Sequence, residues 1–161
     1  GASNASTCSY CAAGTFSTGT GAESDSVCST CVAGSYSTAS GANQCELCSA
    51  GLFSTVKGAA SISTCTPCFA GTFSIVAGAS NASTCSYCAA GTFSTGTGAE
   101  SDSVCSTCVA GSYSTASGAN QCELCSAGLF STVKGAASIS TCTPCFAGTF
   151  SIVAGASNAS T

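Results

Sequence analysis

The chain has 161 residues, sixteen of them cysteine, with no histidine, methionine or tryptophan and only eight charged side chains (two lysines, six carboxylates) for a net charge of −4. Cysteine at this density marks a disulfide framework made for an oxidising compartment, extracellular or at the cell surface after secretion, rather than a cytosolic home. Two lysines cannot neutralise a phosphate backbone or an anionic bilayer, and no apolar run approaches the roughly 20 residues of a membrane span, so neither nucleic-acid binding, nor peripheral lipid binding, nor a membrane span in this stretch is supported.

In chain order the sequence is a repeat within a repeat. Residues 1–77 recur unchanged as 78–154, and 155–161 begin a third copy, from which we expect the protein to continue in both directions. Each copy divides into segments of 20, 20, 17 and 20 residues: 1–20, 21–40, 41–57 and 58–77, then 78–97, 98–117, 118–134 and 135–154. Every segment carries one Cys-x-x-Cys pair, beginning with Cys8 and Cys11, Cys28 and Cys31, Cys45 and Cys48, and Cys65 and Cys68. Past the second cysteine the segments read Cys-Ala-Ala-Gly-Thr-Phe-Ser, Cys-Val-Ala-Gly-Ser-Tyr-Ser, Cys-Ser-Ala-Gly-Leu-Phe-Ser and Cys-Phe-Ala-Gly-Thr-Phe-Ser, followed by a polar stretch and a Gly-Ala step at Gly21, Gly41, Gly58 or Gly78.

Gly14, Gly34, Gly51 and Gly71 are expected to serve turns with positive φ, and the β-branched and aromatic residues after them to form short strands, hence small hairpins. No run has helical periodicity. The third segment is three residues shorter between Gly41 and Cys45, which places the length variation in a surface loop. A segment of this size with one or two aromatics cannot bury enough surface to offset about 1 to 2 kcal/mol of backbone entropy per residue. A bridge closing a loop of about 15 residues contributes roughly 3 kcal/mol and supplies the difference. Phe16, Tyr36, Phe53 and Phe73 are expected to be the most buried large side chains, each against its own segment's bridge, with Glu23, Asp25 and Lys57 exposed. The fold class is therefore small, disulfide-rich and mostly β or irregular. Because repeats that cannot bury a face alone must stack, an elongated, solenoid-like rod of tandem hairpins is expected.

The string Cys-x-x-Gly-x-aromatic-Ser, a polar loop and then Cys-x-x-Cys resembles the cysteine-rich repeats named after the ephrin receptors, themselves similar to the first half of a tumour necrosis factor receptor module. Where that family commonly has proline after the cysteine, this chain has Ala12, Val32, Ser49 and Phe69. The resemblance implies a ladder of bridges: Cys11 to Cys28, Cys31 to Cys45, Cys48 to Cys65, Cys68 to Cys85, Cys88 to Cys105, Cys108 to Cys122 and Cys125 to Cys142. Cys8 and Cys145 are left to partners outside residues 1–161.

Other chemistry is weaker. Four-thiolate zinc sites match the spacing of the pairs, but a zinc ribbon has two unlike halves, whereas every knuckle here carries the same glycine and aromatic downstream. No cofactor is expected, and with no histidine and only Glu23, Asp25, Glu46 and their copies as carboxylates, neither is catalysis. Asn4-Ala5-Ser6 is an acceptor sequon that recurs at Asn81 and Asn158, so glycans are expected there. The composite reading is an extracellular structural protein forming a glycosylated rod or filament. Its partners would be further copies of the repeat joined head to tail, with lateral copies or glycans beside them. The alternative is a receptor-like or adhesive binding module.

Overall fold

The computed structural model describes residues 8–159. The first event along each repeat is a tight turn: the Thr15 N–H donates to the Ala12 carbonyl at 3.0 Å, with Gly14 at φ +83°. A positive φ at the third turn position is what a type II turn requires, and glycine adopts it without strain. The Thr15 hydroxyl reinforces the turn by donating to the same carbonyl at 2.7 Å, and Ser35, Thr72, Thr92, Ser112 and Thr149 repeat that bond. Gly34, Gly51 and Gly71 hold the same positive φ, as expected from their position.

The turn sends the aromatic residue back along the chain into a two-residue strand. β1 (Thr15–Phe16) pairs antiparallel with β2 (Ser29–Thr30), β3 (Ser35–Tyr36) with β4 (Glu46–Leu47), and β5 (Leu52–Phe53) with β6 (Thr66–Pro67). In the same way β7 (Thr72–Phe73) pairs with β8 (Ser86–Tyr87), β9 (Thr92–Phe93) with β10 (Ser106–Thr107), β11 (Ser112–Tyr113) with β12 (Glu123–Leu124), and β13 (Leu129–Phe130) with β14 (Thr143–Pro144). The second strand of every hairpin is the pair of residues enclosed by a Cys-x-x-Cys, so the covalent knuckle and the hydrogen-bonded ladder coincide.

Seven disulfides close the hairpins: Cys11–Cys28, Cys31–Cys45, Cys48–Cys65, Cys68–Cys85, Cys88–Cys105, Cys108–Cys122 and Cys125–Cys142, with Cα separations of 5.5 to 5.8 Å. They join the pairs that the family resemblance implies. No α-helix occurs among the described residues, and no helix there is long and apolar enough to cross a membrane. The loop before most knuckles instead coils into one 3₁₀ turn, at Asp25–Val27, Ile62–Thr64, Ala82–Thr84, Asp102–Val104 and Ile139–Thr141. In the 17-residue repeats the loop has no such turn, which is where the three missing residues went.

The chain divides into two compact units that alternate along the sequence. One comprises Gly1–Pro67 and Ile75–Thr84, the other Cys68–Ser74 and Cys85–Thr161. The core of the first centres on Tyr36, Cys48, Ala59 and Cys65, with Leu52 against it. That of the second centres on Tyr113, Cys125, Ala136 and Cys142, with Leu129. Tyr36 is 8 % exposed and Phe16, Phe53 and Phe73 are half-buried, whereas the other aromatics of the copy, Tyr10 and Phe69, are exposed, so the four expected rings are the better covered ones. One correction to the sequence reading follows: Tyr36 packs with the bridge of the following repeat, Cys48–Cys65, rather than with its own. The remaining core is made of bridge sulfur and the alanine of the Gly-Ala step, because the interior of each repeat is narrow enough for small groups to fill.

Candidate functional site

The recurring site is the surface where one repeat meets the next. In the first unit three backbone bonds make each junction. The Gly14 N–H donates to the Ser37 carbonyl (2.8 Å), the Ser17 N–H to the Ala42 carbonyl (3.1 Å), and the Gly41 N–H back to the Cys11 carbonyl (2.8 Å). The next junction uses Gly34 to Ser54, Ser37 to Ala59 and Gly58 to Cys31, all within 2.8 to 2.9 Å. In the second unit the register is identical: Gly71 to Ser94, Ser74 to Ala99 and Gly98 to Cys68, then Gly91 to Ser114, Ser94 to Ala119 and Gly118 to Cys88.

The aromatic completes the junction through its backbone. Tyr36 makes a parallel bridge to Ala59 and Phe53 to Ala79 in the first unit, and Phe73 to Ala99, Tyr113 to Ala136 and Phe130 to Ala156 in the second. Each hairpin therefore acts as one side of a ladder whose other side is the Gly-Ala step of a later repeat. Ala59 and Ala79 are each 2 % exposed as a result.

Side-chain size is restricted at this surface for two reasons. A Cβ on Gly34 would come within 2.1 Å of the Gly78 carbonyl oxygen, and one on Gly71 within 2.1 Å of that of Gly118. The glycine of the Gly-Ala step is in turn covered by the residue that precedes the second cysteine of a knuckle. Tyr10 lies over Gly41 and Leu47 over Gly78 in the first unit, while Tyr87 lies over Gly118 and Leu124 over Gly155 in the second. The Gly-Ala step was visible in the sequence as a recurring dipeptide. Its role as the receiving face was not, because nothing local to it reports a partner more than 20 residues away.

A polar pair sits at the edge of the core, the buried Tyr36 and the exposed Glu46 standing directly opposite across β3 and β4. A hydrogen bond to the Glu46 carboxylate, then burial, then the carboxylate's charge hold the Tyr36 phenol above its ordinary pKa. Tyr113 and Glu123 reproduce this in the second unit.

The remaining residues singled out from the sequence lie outside the junctions. Glu23, Asp25 and Lys57 are exposed. Cys8 is a free, exposed cysteine and Cys145 a free, half-buried one. Asn4 falls outside the described residues, and Asn158 is exposed. Asn81 is exposed and caps the 3₁₀ turn that follows it. Its Oδ1 accepts from the Ser83 N–H at 3.0 Å and, at closer range, from the Ser83 hydroxyl, the hydroxyl of its own sequon.

Compared with known proteins, residues 19–65 and 96–142, more than half of the chain, match the family model described as tyrosine-protein kinase ephrin type A/B receptor-like. No curated protein matches the chain.

Proposed function

From the premise that the chain belongs to the ephrin type A/B receptor-like family of cysteine-rich repeats, a disulfide-rich module type of extracellular or cell-surface proteins, we propose that it is a structural protein, a secreted filament or rod built by stacking copies of one repeat head to tail. The observation that carries this reading is the constancy of the junction. The same three backbone bonds recur at the same sequence positions in both units, using donors and acceptors that every copy possesses. Identical units joined head to tail generate a helical or linear array wherever the rotation between them does not close a ring.

The chemistry of the surface supports the same reading. Stacking uses backbone, glycine, alanine and serine, so the array extends without any unique side chain. Zinc has no role in this reading, since a sulfur held in a disulfide is not a thiolate ligand. Glycans at Asn81, and at Asn4 and Asn158, would stand on the loops ahead of the knuckles and shield short strand edges from pairing with neighbours. The alternative, a receptor-like or adhesive module, is weaker because a specific protein ligand usually engages a cluster of unlike side chains, which identical copies do not present.

Electron microscopy of the native material tests the proposal. A filament whose axial period equals the rise of one 77-residue copy, or a simple fraction of it, is expected. Dispersed particles with no axial order, together with saturable binding of one protein ligand, would favour the alternative.

A further inference from the structure

Between Cys11 and Cys142 the covalent path is made of two kinds of stretch. Seven are loops closed by a bridge. The six that join one loop to the next are the residue pairs enclosed by a knuckle, the strands β2, β4, β6, β8, β10 and β12. Every residue of this span outside those pairs belongs to a bridged loop or closes one. Lys57, Glu100 and Lys134 lie in loops, whereas Glu46 and Glu123 lie in knuckles.

The chain therefore contains a covalent route shorter than its backbone. From Cys28 that route runs three peptide units to Cys31, crosses the bridge to Cys45 and continues in the same way along the ladder. Fully stretched, a 20-residue repeat spans about 70 Å along its backbone but about 16 Å along one knuckle and one bridge. Loop length does not alter the route. The Cys31–Cys45 and Cys108–Cys122 loops have a sequence separation of 14 instead of 17, yet their Cα atoms stand 5.8 Å apart, against 5.5 to 5.7 Å in the longer loops. Had each Cys-x-x-Cys closed on itself, every loop would lie on the route. The knuckles, its only unbridged peptide stretches, are strands of the hairpins. There the N–H of the second cysteine donates to a turn glycine, as from Cys31 to Gly14 at 3.0 Å and from Cys108 to Gly91 at 2.9 Å.

We propose that knuckles and bridges together form a covalent spine that carries axial tension past every loop, so that the protein serves as a tether that resists stretching and stays in one piece when its loops are cut. Parting of the chain is then confined to cleavage within two-residue strands and to loops whose bridge has been reduced. The spine is a property of a single chain. It goes beyond the stacking of copies head to tail and does not depend on it.

The test holds the 161-residue chain by its two termini in a single-molecule stretching experiment, with the seven bridges mapped as intact beforehand. Without reductant, no step as long as a released loop is expected. A dithiol reductant, itself oxidised as each bridge becomes two thiols, should then release five steps of about 55 Å, from the bridges of separation 17, and two of about 45 Å, from those of separation 14. A Glu-specific protease supplies a second arm, because Glu100 and Glu123 are both exposed but lie in a loop and a knuckle respectively. Cutting after Glu100 should outpace cutting after Glu123 by at least about tenfold. It should add one water, leave the non-reduced chain whole and leave its stretching trace unchanged until reductant is added. If the protease cuts at neither place, the stretching arm decides. The spine is overturned by loop-length steps without reductant, by severance after Glu46 or Glu123 as fast as cutting after Glu100, or by loop-cut chains parting under a force that uncut chains withstand. Chains that behave as expected while the native material shows no axial repeat leave the spine standing and remove the filament reading alone.

Discussion

Gly34 carries two constraints at once, a backbone at φ +84° and a carbonyl oxygen 2.1 Å from where a Cβ would sit. Two other glycines separate the effects. Gly21 has φ +70° with open space around it, and Gly19 has neither constraint, its nearest neighbour being the Ser17 Oγ at 3.8 Å. In chemical denaturation with the disulfides intact, Gly19→Ala should therefore be nearly neutral. Gly21→Ala should lose about 1 kcal/mol for the left-handed backbone alone, and Gly34→Ala about 2 to 4 kcal/mol, because the obstruction is backbone and cannot rotate away. Tyr36 gives a second prediction. Its phenol is held above the ordinary value of about 10, so the unfolded chain ionises first as pH rises. The stability it contributes is complete below about pH 10 and is lost as pH climbs through the folded pKa. Tyrosinate absorbance should show a late-titrating class that disappears in the Tyr36→Phe/Tyr113→Phe double variant. Glu46→Gln should bring the Tyr36 midpoint down, since the carboxylate is the largest cause of the rise.

At the scale of the hairpin, the bridge and the ladder are one object, and removing the bridge loosens both. Cys48–Cys65 spans 17 residues and packs on Tyr36, so Cys48→Ala/Cys65→Ala should cost about 3 kcal/mol. Amide exchange should accelerate at Tyr36 as well as inside the loop, which a bridge serving only its own repeat would not produce. Much of the hairpin is legible in the sequence. The glycine three places past each knuckle announces the turn, and the hydroxyl residue and aromatic after it announce the strand. The 3₁₀ turns are not legible, because a three-residue element such as Ile62–Thr64, held by bonds as local as Ser63 N–H to Ser61 Oγ at 3.2 Å, leaves no periodic trace. Nor is the shallow burial of Phe16, Phe53 and Phe73. How deeply a ring is covered depends on what a later repeat places above it, and that is decided by packing between segments rather than by the residue.

At the scale of the array, every junction described is directional: the turn glycine donates forward, and the Gly-Ala glycine donates back. For the native material, enzymatic removal of N-linked glycans should shift the mass of the peptide carrying Asn81, whereas an unmodified Asn81 would leave the loops bare and remove the glycan part of the proposal. The backbone character of the junction has a different consequence. Positions such as Val32, Ser49 and Phe69, exposed on the outer side of each turn, touch none of the bonds that hold repeats together, whereas Gly34, Ser37 and Ala59 supply the donors or acceptors of two of the three bonds at their junction. The repeat is thus divided into a fixed grammar and a free vocabulary. In a saturation library read out by folded yield, the first group should accept nearly any residue and the second almost none. Such a chain can be lengthened, copied and given a new surface by ordinary gene duplication without its assembly rules being rewritten.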